Sequence, residues 1–343
     1  MPSAPHRHSP RPFAVLVTGG AGYIGSHAVL ALLDAGWRVV VLDNLVTGFR
    51  WAVPTGAVFV EGDVGDERLV ARVLAEHRIG AIMHFAGSVV VPESVADPLK
   101  YYDNNSARSR SLIAAAVFAG VRHFIFSSTA ATYGIPDAIP VREDAPQRPI
   151  NPYGMSKLMT EAMLADVAAA HDFNYCALRY FNVAGADPHA RSGQSTVGAT
   201  HLIKVAVEAA LGRRRHVDIF GTDFATPDGT GVRDYIHVSD LAAAHLLALD
   251  ALIAEPAKSH RLNAGYGRGF SVREVLDAVD RATGRPVERR IVGRRPGDPD
   301  ALVADNSAIR AALGWAPLYA DLDTIVAHAL AWERALAERR LAA

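Results

Sequence analysis

One cysteine among 343 residues, Cys176, excludes an intramolecular disulfide. It lies in the apolar run Tyr175-Cys176-Ala177-Leu178, so the expectation is a buried structural thiol in a reducing cytoplasm. An excess of one charge is lacking too: 35 Lys and Arg face 36 Asp and Glu, and the net charge of -1 gives no electrostatic footing for nucleic acid. The run Arg213-Arg214-Arg215 then reads as a solvated helix end. No apolar stretch is long enough to cross a membrane, and no metal site is expected. Residues 1–12 are rich in Pro, His and Arg without an apolar h-region or cleavage pattern, and read as a disordered tail.

What is present is the profile of a soluble enzyme, 50% hydrophobic and 21% charged. The length favours two domains, or one enlarged by a substrate-binding half. Residues 13–17 form a continuous apolar run that leads into Thr18-Gly19-Gly20-Ala21-Gly22-Tyr23-Ile24-Gly25. Ile24, Ala28, Ala31, Leu32 and Ala35 follow at helical spacing, and a second apolar run fills 39–42. Glycines at 19, 22 and 25, spaced GxxGxxG, let the backbone turn tightly and bring a pyrophosphate onto the helix N-terminus. Asp43 ends the second strand, where a carboxylate can accept from the adenosine ribose hydroxyls and repel a 2'-phosphate; NAD is favoured over NADP.

The alternation continues with a strand at 57–61, a helix at 68–76, a strand at 81–85, an Ala-rich helix at 101–119 and a strand at 123–126. Asp63 with Val64, and Phe85-Ala86-Gly87, stand at strand ends, where ligands of parallel sheets collect. The fold class is α/β: a Rossmann-like doubly wound parallel sheet with a smaller α/β substrate-binding domain. The NAD-binding part is expected at 13–181 with a return segment near 234–265, and the substrate part at 182–233 and 266–343.

Asn151-Pro152-Tyr153-Gly154-Met155-Ser156-Lys157 reads as a helix start, with Asn151 as N-cap and Pro152 at the first helical position. Tyr153 and Lys157 share one face, and Met155, Met159 and Ala162 project from the other as a core-facing stripe. A phenol poised as a base near pH 7 needs about 4 kcal/mol of preference for its anion. A unit positive charge about 4 Å away supplies that order of energy at an effective dielectric near 20, so Lys157 alone could nearly suffice.

The glycine loop, the hydroxyls Ser127-Ser128-Thr129 at a strand end and Tyr153-xxx-Lys157 together resemble the short-chain dehydrogenase/reductase superfamily, in its extended branch. Further motifs resemble the UDP-glucose 4-epimerases within it: Leu42-Asp43-Asn44-Leu45, His84-Phe85-Ala86-Gly87, Tyr101-Tyr102-Asp103-Asn104-Asn105, Leu178-Arg179-Tyr180-Phe181-Asn182 and Gly229 through Val238. The resemblance implies a tightly held NAD that takes a hydride from C4 of a UDP-hexose and returns it to the other face. Tyr153 would be the base, Lys157 its partner and a ribose ligand, and Thr129 the hydroxyl on the same oxygen. Asn44, Asn104, Tyr23, Ile24 and Phe181 join the cofactor set; Asn182, His201, Leu202, Phe220, Arg233, Arg295 and Asp298 join the UDP-sugar set. It also implies a homodimer through the helices at 101–119 and 153–170.

Three positions depart from or tune that pattern. His201 stands where some epimerases have Asn, Val89 where some have Lys, and Leu302 beside the sugar, where bulk disfavours N-acetylated substrates. A 4,6-dehydratase needs an acid and a base after the Thr, and here Ala130 and Ala131 follow Thr129. A UDP-xylose/UDP-arabinose or UDP-GlcNAc 4-epimerase, and a non-catalytic NAD-binding regulator, remain as alternatives.

Overall fold

Apolar runs punctuated by glycine become strands buried on both faces of a parallel sheet. The computed structural model describes residues 12–295 and 297–342. The expected tail therefore lies outside the described residues but for Pro12. The first half runs β1 (Ala14–Thr18), α1 (Tyr23–Asp34), β2 (Arg38–Asp43), β3 (Val58–Glu61), α2 (Glu67–Glu76), β4 (Ile79–His84), α3 (Val91–Ala96), α4 (Pro98–Tyr101), α5 (Arg108–Phe118), β5 (His123–Thr129), α6 (Pro152–Ala170) and β6 (Asn174–Tyr180). The second half runs β7 (Asn182–Ala184), α7 (Leu202–Ala210), β8 (Val217–Phe220), β9 (Val232–His237), α8 (Val238–Ala254), β10 (His260–Ala264), β11 (Gly269–Ser271), α9 (Val272–Thr283), β12 (Arg289–Val292), β13 (Ala301–Leu302), α10 (Ser307–Leu313) and α11 (Leu322–Ala342).

The seven-stranded sheet has the order β10-β6-β5-β4-β1-β2-β3, and every pairing in it is parallel. Consecutive side chains of β1 serve opposite layers: Val15 and Val17 pack with α1 and α8, Leu16 with α2 and α5. The chain winds outward from β1 through β3, then returns to place β4 on the other flank of β1. That reversal opens a crevice at the carboxyl ends of β1 and β4. A smaller sheet, β11-β9-β13 with β7 on β9, and the pair β12-β8 stand beyond it, over a core of Val207, Ile219, Leu276 and Ile325.

Several expectations change. The helix at 101–119 is interrupted: residues Tyr102–Ala107 form a π turn between α4 and α5. The face of α6 that enters the core carries Gly154, Ser156, Lys157, Thr160, Glu161 and Leu164, while Met159 is 43% exposed. The methionine stripe is thus the outer face, because the inner one must deliver polar groups to the ends of β5 and β6. Segments 182–184 and 232–237 are strands, which their mixed polar composition concealed; within the return segment, β10 joins the first sheet beside β6.

Burial holds His27 and His245 down to about 4, and His84 and His237 down to about 3. The unfolded chain therefore binds more protons below pH 6.5, and stability contributed by the neutral rings is lost as the pH falls through that value. Four such rings make the expected loss roughly 5 kcal/mol between pH 7.5 and 5.5. Denaturant unfolding across that range measures it, and a flat profile would refute it.

Candidate active site

The glycine loop closes the gap between β1 and α1. Gly19 has φ +70°, and a Cβ there would lie 2.6 Å from Ala86 N; a Cβ on Gly25 would collide with the Gly19 carbonyl. No side chain caps α1 at Gly22, and among its first-turn amides only that of Ser26 is bonded back, to Gly22 O. This leaves N–H groups directed to an anion. Asp43 ends β2 and accepts from Ala21 N at 2.9 Å and Leu45 N at 2.8 Å, which fixes its carboxylate beside the loop.

Asn44 and Asp63 meet at the rim: Asn44 Nδ2 donates to Asp63 Oδ2 at 2.9 Å, and Asp63 also binds Arg108 and the Gly65 amide. Val64 is buried behind them. Tyr23, the first residue of α1, donates its hydroxyl to Gly185 O at 2.7 Å and joins the loop to the second half. Ile24 and Phe85 pack on the same core layer, while Ala86 packs on the other.

The π turn brings its asparagines inward. Asn105 Oδ1 accepts from Ser88 N at 2.7 Å while its Nδ2 donates to Ser88 O and Ser156 Oγ; Asn104 Nδ2 donates to Ser88 Oγ. Asn105 O accepts from the hydroxyls of Ser109 and Thr160. Asn105, Ser109 and His84 were missed as positioning residues. The adjacent Asn pair was the only signal, because which asparagine turns inward depends on the extra residue in the turn.

Tyr153 lies in the first turn of α6, whose N-cap Asn151 accepts from Gly154 N at 2.9 Å. Burial raises the Tyr153 phenol above its ordinary value, and the Thr129 hydroxyl draws it partly back. Lys157 is 2% exposed; it donates to Ser127 O at 3.0 Å and lies 5.0 Å from the centre of the Phe126 ring. Burial lowers it to about 8. The expectation that Lys157 by itself nearly ionises the phenol is thus not met. Its ammonium gives one of its three hydrogens to a backbone carbonyl, and burial holds both groups toward their neutral forms. Gly87 stands close to both partners of this region: a Cβ there would lie 3.0 Å from Asn105 Oδ1 and 3.5 Å from Lys157 Nζ.

Phe181 follows β6 and leads into Asn182, the first residue of β7, which pairs with the strand that carries Arg233. Arg233 Nη2 is 3.6 Å from Asp298 Oδ1, Arg295 Nε is 3.4 Å from Asp298 Oδ2, and the Arg295 guanidinium lies 4.1 Å from the centre of the Phe220 ring. Two cations, a carboxylate and an aromatic face are therefore together. Leu302 is paired in register with Arg233 and packs on the cluster of Phe181 and Ala130. Asn182, His201 and Leu202 line one cavity with Gln194 and Lys204.

The buried lysine is a stability cost in the cofactor-free chain. Its pKa is depressed on folding, so the folded state disfavours the charge; the cost is full below pH 8 and relieved between 8 and 10.5. Lys157→Met is expected to stabilise that form at pH 7 by about 2 kcal/mol, after loss of the hydrogen bond to Ser127. Urea unfolding would read it, and a destabilised variant would contradict the account.

The model of the NAD dependent epimerase/dehydratase family matches residues 15–265. A UDP-glucose 4-epimerase of Azospirillum brasilense is 58% identical over 328 residues, 96% of this chain and 93% of its own. A solved UDP-glucose 4-epimerase of Stenotrophomonas maltophila, with bound NAD and formylated UDP-arabinopyranose, is 41% identical; its TM-score is 0.92, covering 95% of this chain and 99% of that one. One from Brucella ovis in complex with NAD is 46% identical with a TM-score of 0.90, covering 93% and 98%. With the glycine loop, Asp43 and the Tyr153/Lys157 helix gathered at one crevice, this chain belongs to the NAD-dependent epimerase/dehydratase family.

Proposed function

We propose that the protein is an NAD-dependent UDP-glucose 4-epimerase, an isomerase that interconverts UDP-glucose and UDP-galactose through a 4-keto sugar. The observation that supports the residue-level reading is the hydrogen bond between Thr129 and Tyr153, with Lys157 of the same helix held on Ser127 O at the end of the same strand. The NAD-binding part comprises 13–181 with the return near 234–265; 182–233 and 266–343 take the sugar nucleotide.

The residues present fit NAD. Gly19, Gly22 and Gly25 carry no Cβ at the turn, the amides of α1 ahead of Ser26 are open to a pyrophosphate, and Asp43 supplies the acceptor for the adenosine ribose. Asn44, Asp63 and Val64 form the adenine rim. Phe85, Ala86, Gly87, Asn104, Tyr23, Ile24 and Phe181 wall the remainder, with Lys157 on the second ribose. Bound there, NAD would supply the hydride acceptor and donor for C4 of the sugar.

Tyr153 takes the proton of the C4 hydroxyl and later gives it back, while the Thr129 hydroxyl bonds the same oxygen. Burial raises the phenol in the cofactor-free chain, so positive charge brought in beside Lys157 would assist its ionisation. The oxidised nicotinamide ring carries such a charge, which makes base strength conditional on a loaded site. Arg233 and Arg295 clamp the diphosphate, Phe220 faces uracil, Asp298 holds the uridine ribose, and Asn182, His201 and Leu202 complete the wall.

Leu302, fixed beside Arg233, favours the unmodified hexose over N-acetylated sugars. Phe118 at 93% exposure, Leu99 at 76% and Met159 at 43% lie on or beside the helices named for a homodimer, and a paired assembly covers them. Among the described residues no helix is long and apolar enough to cross a membrane, and a cytoplasmic place agrees with the lone buried thiol.

Incubation with UDP-glucose, UDP-galactose, UDP-xylose and UDP-GlcNAc without added NAD should give glucose/galactose interconversion fastest and UDP-GlcNAc turnover at least tenfold slower. Tyr153→Phe should lose at least 1000-fold in kcat with NAD retained. Extractable NAD with no conversion of any UDP-sugar would instead favour the regulator. Sedimentation should give a dimer, and a stable monomer would refute the pairing.

A further inference from the structure

Gln194 lies on a loop pinned from every side. Arg191 bridges Asp34 at 3.0 Å and Asp187 at 2.8 Å, and the Ser192 hydroxyl meets that of Ser26 at 2.7 Å. Gly193 packs on the Trp332 ring with no room for a Cβ, and Trp332 Nε1 donates to Ser195 Oγ at 3.3 Å. Gln194 is thereby held at 8% exposure with its Nε2 2.6 Å from His201 Nδ1. With the amide in this orientation its NH2 donates to Nδ1, which places the proton of the neutral ring on Nε2. The ring is exposed at the N-cap of α7, where it lines one cavity with Asn182 and Leu202. Although the residue is exposed, desolvation on the cavity side lowers its pKa and favours the neutral ring.

We propose that Gln194 is a positioning residue that locks His201 in the Nε2–H tautomer, so that an uncharged imidazole offers a hydrogen-bond donor to an acceptor oxygen of the bound UDP-sugar. The inference rests on the epimerase reading and specifies how its substrate is held. The donor extends the open amides of the first turn of α7, where Val205 N is the first bonded back, to His201 O. The opposite tautomer would set a nitrogen lone pair against that oxygen. Of the other ionisable side chains of the cavity, Lys204 and Glu333 are paired with each other and burial keeps the Tyr235 phenol protonated.

The test is a double-mutant cycle on the holoenzyme. Gln194→Leu should raise KM for UDP-glucose about tenfold while kcat falls less than about threefold. His201→Asn supplies an amide donor that has no tautomer, and adding Gln194→Leu to it should change KM no further. Nitrogen-15 spectra, with the His201 signal identified by its loss in His201→Asn, should give the Nε2–H pattern in the wild type and a mixture in Gln194→Leu. Gln194→Glu can only accept from Nδ1–H, so its KM should fall as the pH is lowered and both ring nitrogens become protonated. An Nδ1–H wild type, or KM effects that multiply in the double variant, would overturn the proposal even if Gln194→Leu proved unstable. A wild type that turns over no UDP-sugar would defeat the epimerase reading instead.

Discussion

A directed chain of hydrogen bonds beneath the crevice holds its parts in register. Ser109 Oγ donates to Asn105 O, so it must accept from His84 Nε2–H; His84 Nδ1 is then left to accept from Thr18 Oγ1. One neutral imidazole thereby links the end of β1, the end of β4, α5 and the π turn. Thr160 donates to the same Asn105 carbonyl and brings in α6, which carries Tyr153 and Lys157. Burial and the nearby Lys157 charge both keep His84 uncharged, and the wiring requires that state.

The inner face of α6 shows what that arrangement costs in packing. Glu161 and Arg179 are 3% and 1% exposed, joined by three hydrogen bonds, with Ser128 on the carboxylate and the Tyr133 hydroxyl and Glu143 O on the guanidinium. A buried pair of this kind is tolerated because nearly every polar atom has a partner, and removing one member strands the other at a cost of about 3 to 5 kcal/mol. In return α6 is fixed against the strand ends that bear Ser127 and Thr129. The polar interior thus gives orientation where an apolar face would give only adhesion.

The two buried reactive groups are tuned by that same dry setting. Desolvation disfavours both phenolate and ammonium, so neither is charged as readily as in water. Charge that a ligand brings into the crevice acts there with little screening. On the proposed reading, a bound cofactor would thereby set the strength of the base.

Much was legible from residue order alone. Apolar runs separated by glycines gave the parallel strands, the spacing of Gly19, Gly22 and Gly25 gave the loop, and Asn151-Pro152 gave the start of α6, because caps, close approaches and strand burial are local demands on local residues. Asp43 at the end of β2 was readable for the same reason. Local pattern failed where several elements share one group. The π turn depends on hydroxyls from α5 and α6, the polar inner face of α6 on Arg179 of β6, the strand state of 182–184 on β9, and the tautomer of His201 on a loop held by Trp332 of α11. The sequence alone determined the sheet, the loop and the chemical inventory. Tertiary structure decided which way Lys157 donates, which face of α6 is buried and which histidine nitrogen bears a proton, because each is settled by partners from distant parts of the chain.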